Sequence, residues 1–367
     1  MCSIQKFRWS IPAQAALVSL ATLIAVAGCS TTGGTRSESR LPDDAPPVSY
    51  MQVVRSNSGP LQLQIALREL RPAKDSGPAI WLVAVSHIGE TNYYEAVQRH
   101  LDVRTLVLFE GVSDRRTRHP QDSRAGPRLS NNELMKGRDD SVQSSLQSTL
   151  ASSLGLAFQL NALDYDRPHF QNSDLTIPEM QALLSENAGS GQAQIPGAPG
   201  KSDDQLSDLV GIMDGSSVLG AILHAGVKLL GSSPKLQALT KVAVIELFGN
   251  LEGDISQSPA LPSEMKRLID VLIQGRNRVV VNDLKAELPK LRKRDSVAVF
   301  YGAGHMHDLE TRIRSELNYR PASQLWLTAI TVDPHKAGVT DAELRMIQSV
   351  VKWQLQALQP KVPAEAK

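Results

Sequence analysis

Residues 79–112 read AIWLVAVSHIGETNYYEAVQRHLDVRTLVLFEGV, and this stretch holds one complete unit of strand, helix and strand. Ala79 to Val85 is a nearly unbroken apolar run, as suits a strand covered on both faces. Thr91 and Asn92 are expected to cap a helix, with Glu95 three residues after Asn92, and Tyr94, Val97 and Leu101 share one helical face. Arg104 to Phe109 is the second strand. The crossover is long enough for the strands to run parallel, and parallel sheets place ligands beyond their carboxyl ends. His87 and Glu110 stand there.

Far downstream, Asp295 to Tyr301 (DSVAVFY) is another strand-like run, leading into Gly302, Ala303, Gly304 and His305. Small residues allow a sharp turn that brings the imidazole to the strand's end. With this strand parallel to the first two, His87, Glu110 and His305 converge on one sheet edge. Two imidazoles and a carboxylate are ligand types of a hydrolytic metal centre, in which a bound cation makes a nucleophile of water. The chain has no Gly-x-Ser-x-Gly elbow, which leaves serine chemistry of that type unsupported.

The ends read differently. Lys6 and Arg8 precede an apolar core from Ala15 to Ala27, and Val26-Ala27-Gly28-Cys29 resembles a bacterial lipobox. Residues 1–28 are therefore expected to be a cleaved signal, with Cys29 acylated (palmitate included) and the chain held on a membrane. Ser30, where a retention signal would carry Asp, points to the periplasmic face of the outer membrane. Residues 29–50 read as a flexible tether, residues 51–358 as the α/β domain, and 359–367 as a frayed tail.

The cysteines are Cys2 and Cys29, so no disulfide or zinc-thiolate site is expected in the processed chain. Removing Lys6 and Arg8 from the 39 basic residues leaves 37 against 38 acids, a balance that argues against nucleic-acid partners.

Between these landmarks, Leu61 to Leu67 alternates like an edge strand, and Ser113 to Asp140, rich in arginine, is a loop or lid. Val142 to Leu163 has the spacing of one helix. His169 sits in a polar, aromatic loop. Thr176 opens a short helix with Pro178 in its first turn. Asn187 to Ser202 is low in complexity, and the apolar stretch to Leu251 makes residues 187–251 an inserted helical region. Pro262 to Leu291 is helical and carries Arg276 and Asn277; taken alone, such an arginine is a solvated charge. Lys290 to Arg294 (KLRKR) reads as a solvated turn, Leu325 to Val332 as a further strand, and Asp341 to Leu358 as a closing amphipathic helix.

The first strand with its histidine, the LVLFEG segment, the Arg276-Asn277 pair and YGAGH together resemble the TraB/TIKI family, within the superfamily that includes ChaN haem-binding lipoproteins and erythromycin esterases. That family is similar in having two Gly-x-x-His motifs, a glutamate ending the second strand and an Arg-Asn pair ahead of the second motif. Gly302 to His305 matches in full, whereas Ala84 stands where the first motif has glycine. Gln159 to Thr176 is similar to the family's middle region, where a glutamine and an aspartate recur; Asp174 is the aspartate taken here.

The resemblance implies an α/β fold with a mainly parallel sheet, flanking helices and a helical insertion. For some members it also implies proteolysis dependent on a divalent metal. The expectation is a membrane-anchored hydrolase, a peptidase or esterase, acting on a peptide or small-molecule substrate. His87, Glu110 and His305 are the metal ligands and Glu110 and Arg276 the catalytic pair. Asn277, Asp174, Gly302 and Gly304 are supports, and manganese, cobalt or zinc is the ion. The alternatives are a ChaN-like lipoprotein that binds haem or another ligand, with His169 or His307 as an extra axial side chain, and an inactive relative.

Overall fold

The computed structural model describes residues 37–40, 47–56, 59–74, 77–111, 146–176, 178–180, 182–183, 233–250 and 270–358. Cys29 with its lipobox, the arginine-rich loop 113–140, the tail 359–367 and the insertion as far as residue 232 lie outside them. The elements in chain order are β1 (Ser37–Arg40), β2 (Met51–Arg55), β3 (Leu61–Pro72), β4 (Ala79–Val85), β5 (Ile88–Gly89), α1 (Thr91–Asp102) and β6 (Leu106–Phe109). They continue with α2 (Leu146–Ser153), β7 (Ala157–Phe158), α3 (Gln159–Ala162), β8 (Phe170–Asn172) and α4 (Pro234–Gly249). The last are α5 (Arg276–Glu287), β9 (Ser296–Gly302), α6 (Met306–Leu317), β10 (Tyr319–Val332) and α7 (Asp341–Leu358).

The fold is α/β, built on a mixed sheet of order β1-β10-β3-β4-β9-β6-β8, with β2 added along β3. β4, β9, β6 and β8 are mutually parallel, whereas β1, β10, β3 and β2 form an antiparallel half joined to β4 through β3. The parallel strands are short apolar runs, fully buried at Leu82, Val83, Val107, Leu108, Val297 and Val299. Each such side chain removed from water contributes about 1.5–3 kcal/mol, which is why these runs take the sheet's centre. α5 and α6 pack together over one part of the sheet, and α4 with α7 over β2, β3 and β10.

Several expectations change. Leu61 to Leu67 is not an edge: β3 runs for 12 residues between β10 and β4. Its polar residues Gln64 and Arg68 are buried and satisfied across the sheet by Thr328, Gln324 and Glu310, so alternation there does not mean a wet face. Within the expected tether, Ser37 to Arg40 pairs antiparallel with β10. The single helix expected over Val142 to Leu163 is divided: α2 stops at Ser153, and Gly155 takes φ +67°, a left-handed turn that glycine adopts readily. Glu90 rather than Thr91 or Asn92 is the N-cap of α1, without a side-chain cap bond. Thr176, by contrast, caps as expected, in a reciprocal box with Glu179. Arg276 begins α5 directly after a π-helical turn, Asp270 to Gly275.

Candidate active site at the carboxyl edge of the sheet

The register of the parallel strands assembles the site. β4 and β9 pair from Ala79 with Ser296 to Val85 with Gly302, and Phe109 of β6 pairs with Phe300 on the other side of β9. The residues just beyond those ends, His87, Glu110 and the Ala303–His305 turn, therefore emerge side by side. Ser86 holds the turn into His87: its carbonyl accepts from the Tyr94 hydroxyl at 2.9 Å, and its own hydroxyl donates to Ile88 O at 3.0 Å. Gly302 is needed for close approach. A Cβ there would meet Glu110 Oε2 at 3.3 Å and His87 Nε2 at 3.4 Å, whereas one on Gly304 would meet nothing within 4 Å. The expected support from Gly304 is thus not required by space.

Arg276 is the hub. Its Nε and Nη2 donate to the two Asp174 oxygens at 2.9 and 2.6 Å, a fork-to-fork pair, and Nη2 also donates to Glu110 Oε1 at 2.7 Å. Its Nη1 faces His305 Nε2 at 3.5 Å. Asp174 is also held by the Gly111 and Leu175 amides at 2.9 and 2.7 Å, and Glu110 Oε2 accepts from Gly302 N at 2.6 Å. Glu110 Oε1 lies 3.6 Å from His305 Nε2. Arg276 is 9 % exposed and Asp174 3 %, so this arginine is no solvated helix charge.

Both imidazoles are oriented from behind. Asn277 Nδ2 donates to His305 O at 3.2 Å and to Asp308 Oδ2 at 2.9 Å, two groups that only accept, which leaves Oδ1 as its oxygen. His305 Nδ1–H donates to that oxygen at 2.8 Å, so His305 Nε2 carries a lone pair toward Glu110. His87 Nδ1 pairs with Gln159 Oε1 at 3.0 Å, and Gln159 Nε2 donates to the Tyr165 hydroxyl at 2.8 Å. This is the arrangement by which proteins set the tautomer of metal-binding histidines.

Burial acts to raise the Glu110 carboxyl, but Arg276, the two imidazoles and the Gly302 amide outweigh it and hold the group well below the usual carboxylate range. Burial lowers His305 to about 4, with Arg276 adding to the effect and Glu110 opposing it, so its imidazole is neutral at physiological pH. Two carboxylates and one guanidinium leave the cluster with one surplus negative charge. Among the described residues no three His, Cys, Asp or Glu side chains stand as a ready-made metal cage. The donor set nevertheless fits a divalent ion in its chemistry: two imidazoles, a carboxylate and a net negative charge beside them.

Of the residues singled out from sequence, His87, Glu110, His305, Arg276, Asn277, Asp174 and Gly302 all meet at this edge. His169 does not: it precedes β8 at the opposite edge, where its Nε2 approaches Leu101 O at 3.3 Å. Gln159 and Tyr165, which orient His87, carry no signal as positioning residues in the sequence's periodicity. The glutamine lies in the segment similar to the TraB/TIKI middle region, and the periodicity reading hid it inside a long helix. No protein-family model, curated protein or solved structure matches the chain significantly.

Proposed function

We propose that this chain is a metal-dependent hydrolase of the TraB/TIKI kind, acting on a peptide or ester bond and tethered to the outer membrane through an acylated Cys29. The observation that carries the reading is the pair of imidazoles whose Nδ1 atoms are both engaged by amide oxygens, with His305 Nε2 3.6 Å from Glu110 and His87 Nε2 bordering, with Glu110, the space beside Gly302. His87, His305 and Glu110 hold the ion in this reading. A bound manganese, cobalt or zinc supplies Lewis acidity and lowers the pKa of its water.

The protein's own groups have distinct tasks. Gln159 and Asn277 keep the imidazoles aimed. Asp174 fixes Arg276 by two bonds and holds Nη1 beside His305 Nε2, where its positive charge stabilises negative charge developing on a carbonyl oxygen. Glu110, held so far toward its ionised form, is a poor proton acceptor at neutral pH, so its role is that of ligand rather than base. A haem-binding role has less support, because His169, one of its candidate extra ligands, stands at the other sheet edge.

Elemental analysis of the purified chain, prepared without a histidine tag and compared with His305→Ala, tests this. About one transition-metal ion per chain, lost in the variant, is the expected result. No metal after incubation with excess ion, or equal content in both proteins, ends the proposal.

A further inference from the structure

The opposite edge of the sheet carries a second feature. A polar cavity of about 410 Å³ opens where β4 and β9 begin, between the end of β3, the segment after α1 and the turn before β9. Four cations line it, Arg71, Arg104, Lys293 and Arg294, against the carboxylates Glu69 and Asp295. The seven residues of β4 separate it from the His87 and His305 edge by about 20 Å, so the two sites do not share side chains.

The carboxylates are already committed. Glu69 pairs with Arg71 at 2.5 Å and accepts from Ser323 at 3.0 Å. Asp295 closes the turn that presents Lys293 and Arg294: its Oδ2 accepts from Arg292 N at 2.7 Å, and its own amide donates to Arg292 O at 2.9 Å. Arg104 is stacked over Trp81 at 4.8 Å, and its Nε donates to His100 O at 3.0 Å. His100 packs edge-on against the same indole, at 4.5 Å between ring centres. The Arg104 guanidinium is therefore placed, with Glu69 near enough to act on its charge, while its two Nη groups make no hydrogen bond among the described residues. Arg294 likewise makes no hydrogen bond or ion pair there. Two guanidinium forks with unused donors, in a cavity with surplus positive charge, match the oxygens of a tetrahedral dianion better than those of a single carboxylate.

We infer that this cavity is a binding site for a phosphate group, carried by a soluble phosphoester or by a phospholipid headgroup. The KLRKR run is the part of the site that the sequence shows, and its function is to put Lys293 and Arg294 on a fixed turn facing Arg104.

Calorimetric titration of the purified chain with inorganic pyrophosphate, and separately with dihexanoyl phosphatidic acid below its micelle concentration, tests the inference. Saturable binding is expected, weakened about tenfold in Arg294→Gln, which removes one fork of charged hydrogen bonds. Arg294 is exposed and unbonded, so this variant keeps the fold. Lys285→Gln, which removes an exposed charge on α5, should bind as the parent does. Binding of both probes assigns the site to the phosphate itself, and binding of the lipid alone assigns it to a headgroup. No saturable binding of either probe, or equal weakening in Arg294→Gln and Lys285→Gln, overturns the inference.

Discussion

Two arginines are buried among the described residues, and they are used in opposite ways. Arg68, fully buried on β3, pairs with Glu310, gives Nε and Nη2 to Gln324 Oε1 at 3.0 and 2.5 Å, and lies 4.0 Å over the Tyr50 ring. Glu310 in turn accepts from the Tyr50 hydroxyl at 2.8 Å and from Arg314 at 3.3 Å. Every partner comes from the protein, and no acceptor is left over. Arg276 is bound as firmly by Asp174, yet it shares Glu110 and stands beside His305, whose Nε2 lies 3.5 Å from Nη1 and 3.6 Å from Glu110 Oε1. Burial of charge therefore does not mark a site by itself; the imidazoles gathered beside the charge at the strand ends do.

The sharpest way to break this contrast is Arg68→Ala. Removing one partner of a closed buried pair leaves the other charge stranded, at a cost of about 3–5 kcal/mol. Urea unfolding should show that loss, and metal content of the protein that remains folded should be unchanged. A variant that kept its stability but lost metal would reverse the assignment of the two arginines.

Acid should separate the two clusters next. His305 protonates at about 4 in the folded chain but near 6.5 when unfolded, so the unfolded state takes up the proton first. Stability therefore falls as pH drops from about 6.5 toward 4, and the depressed Glu110 adds to the loss at the acid end. Glu90, raised to about 8 by burial against the opposing pull of the Thr331 amide and Lys241, acts the other way. Its contribution is present below its unfolded pKa and is lost as pH rises through 8. Urea midpoints of Glu90→Gln across pH 4 to 8 should thus rise with pH and then level. A midpoint that stayed flat between pH 4 and 6.5 in that variant would contradict the state assigned to His305.

A smaller effect is expected from Asn277→Ala. It touches neither the proposed ion nor a substrate, yet it frees the His305 tautomer, and removal of such a support typically weakens metal binding by about 10–100-fold. Competition with a chromophoric chelator measures this; unchanged affinity would reduce Asn277 to a helix residue like any other.

How much of this the sequence discloses depends on the kind of residue. His87, Glu110 and His305 are visible because each follows an apolar run, and the end of a buried parallel strand is a fixed place. Asp174 and Arg276 are visible through resemblance, since nothing in the periodicity of Pro262 to Leu291 distinguishes a buried arginine from a solvated one. Gln159 was concealed for a physical reason. Leu146, Leu150, Leu154 and Phe158 keep helical spacing past the end of α2, and Gly155 with its left-handed φ is the sign that the helix ends. β3 misled in the opposite sense. Its polar alternate positions suit a half-solvated strand until Gln64 and Arg68 are seen to have partners on β10 and α6.

The place of β9 in the sheet also has a consequence for how the chain is made. It lies between β4 and β6, yet both precede it by well over a hundred residues, and Ala79 finds Ser296 as its partner. Until Ser296 to Gly302 has been synthesised and delivered, β4 and β6 each present an unpaired apolar edge. Closing so long a loop is slow because its entropy must be lost before the contacts form. The nascent protein thus spends most of its emergence with its central slot open, and the histidines meet only once β9 has taken its place. Any truncation ahead of Ser296 should yield aggregation-prone material rather than a smaller domain.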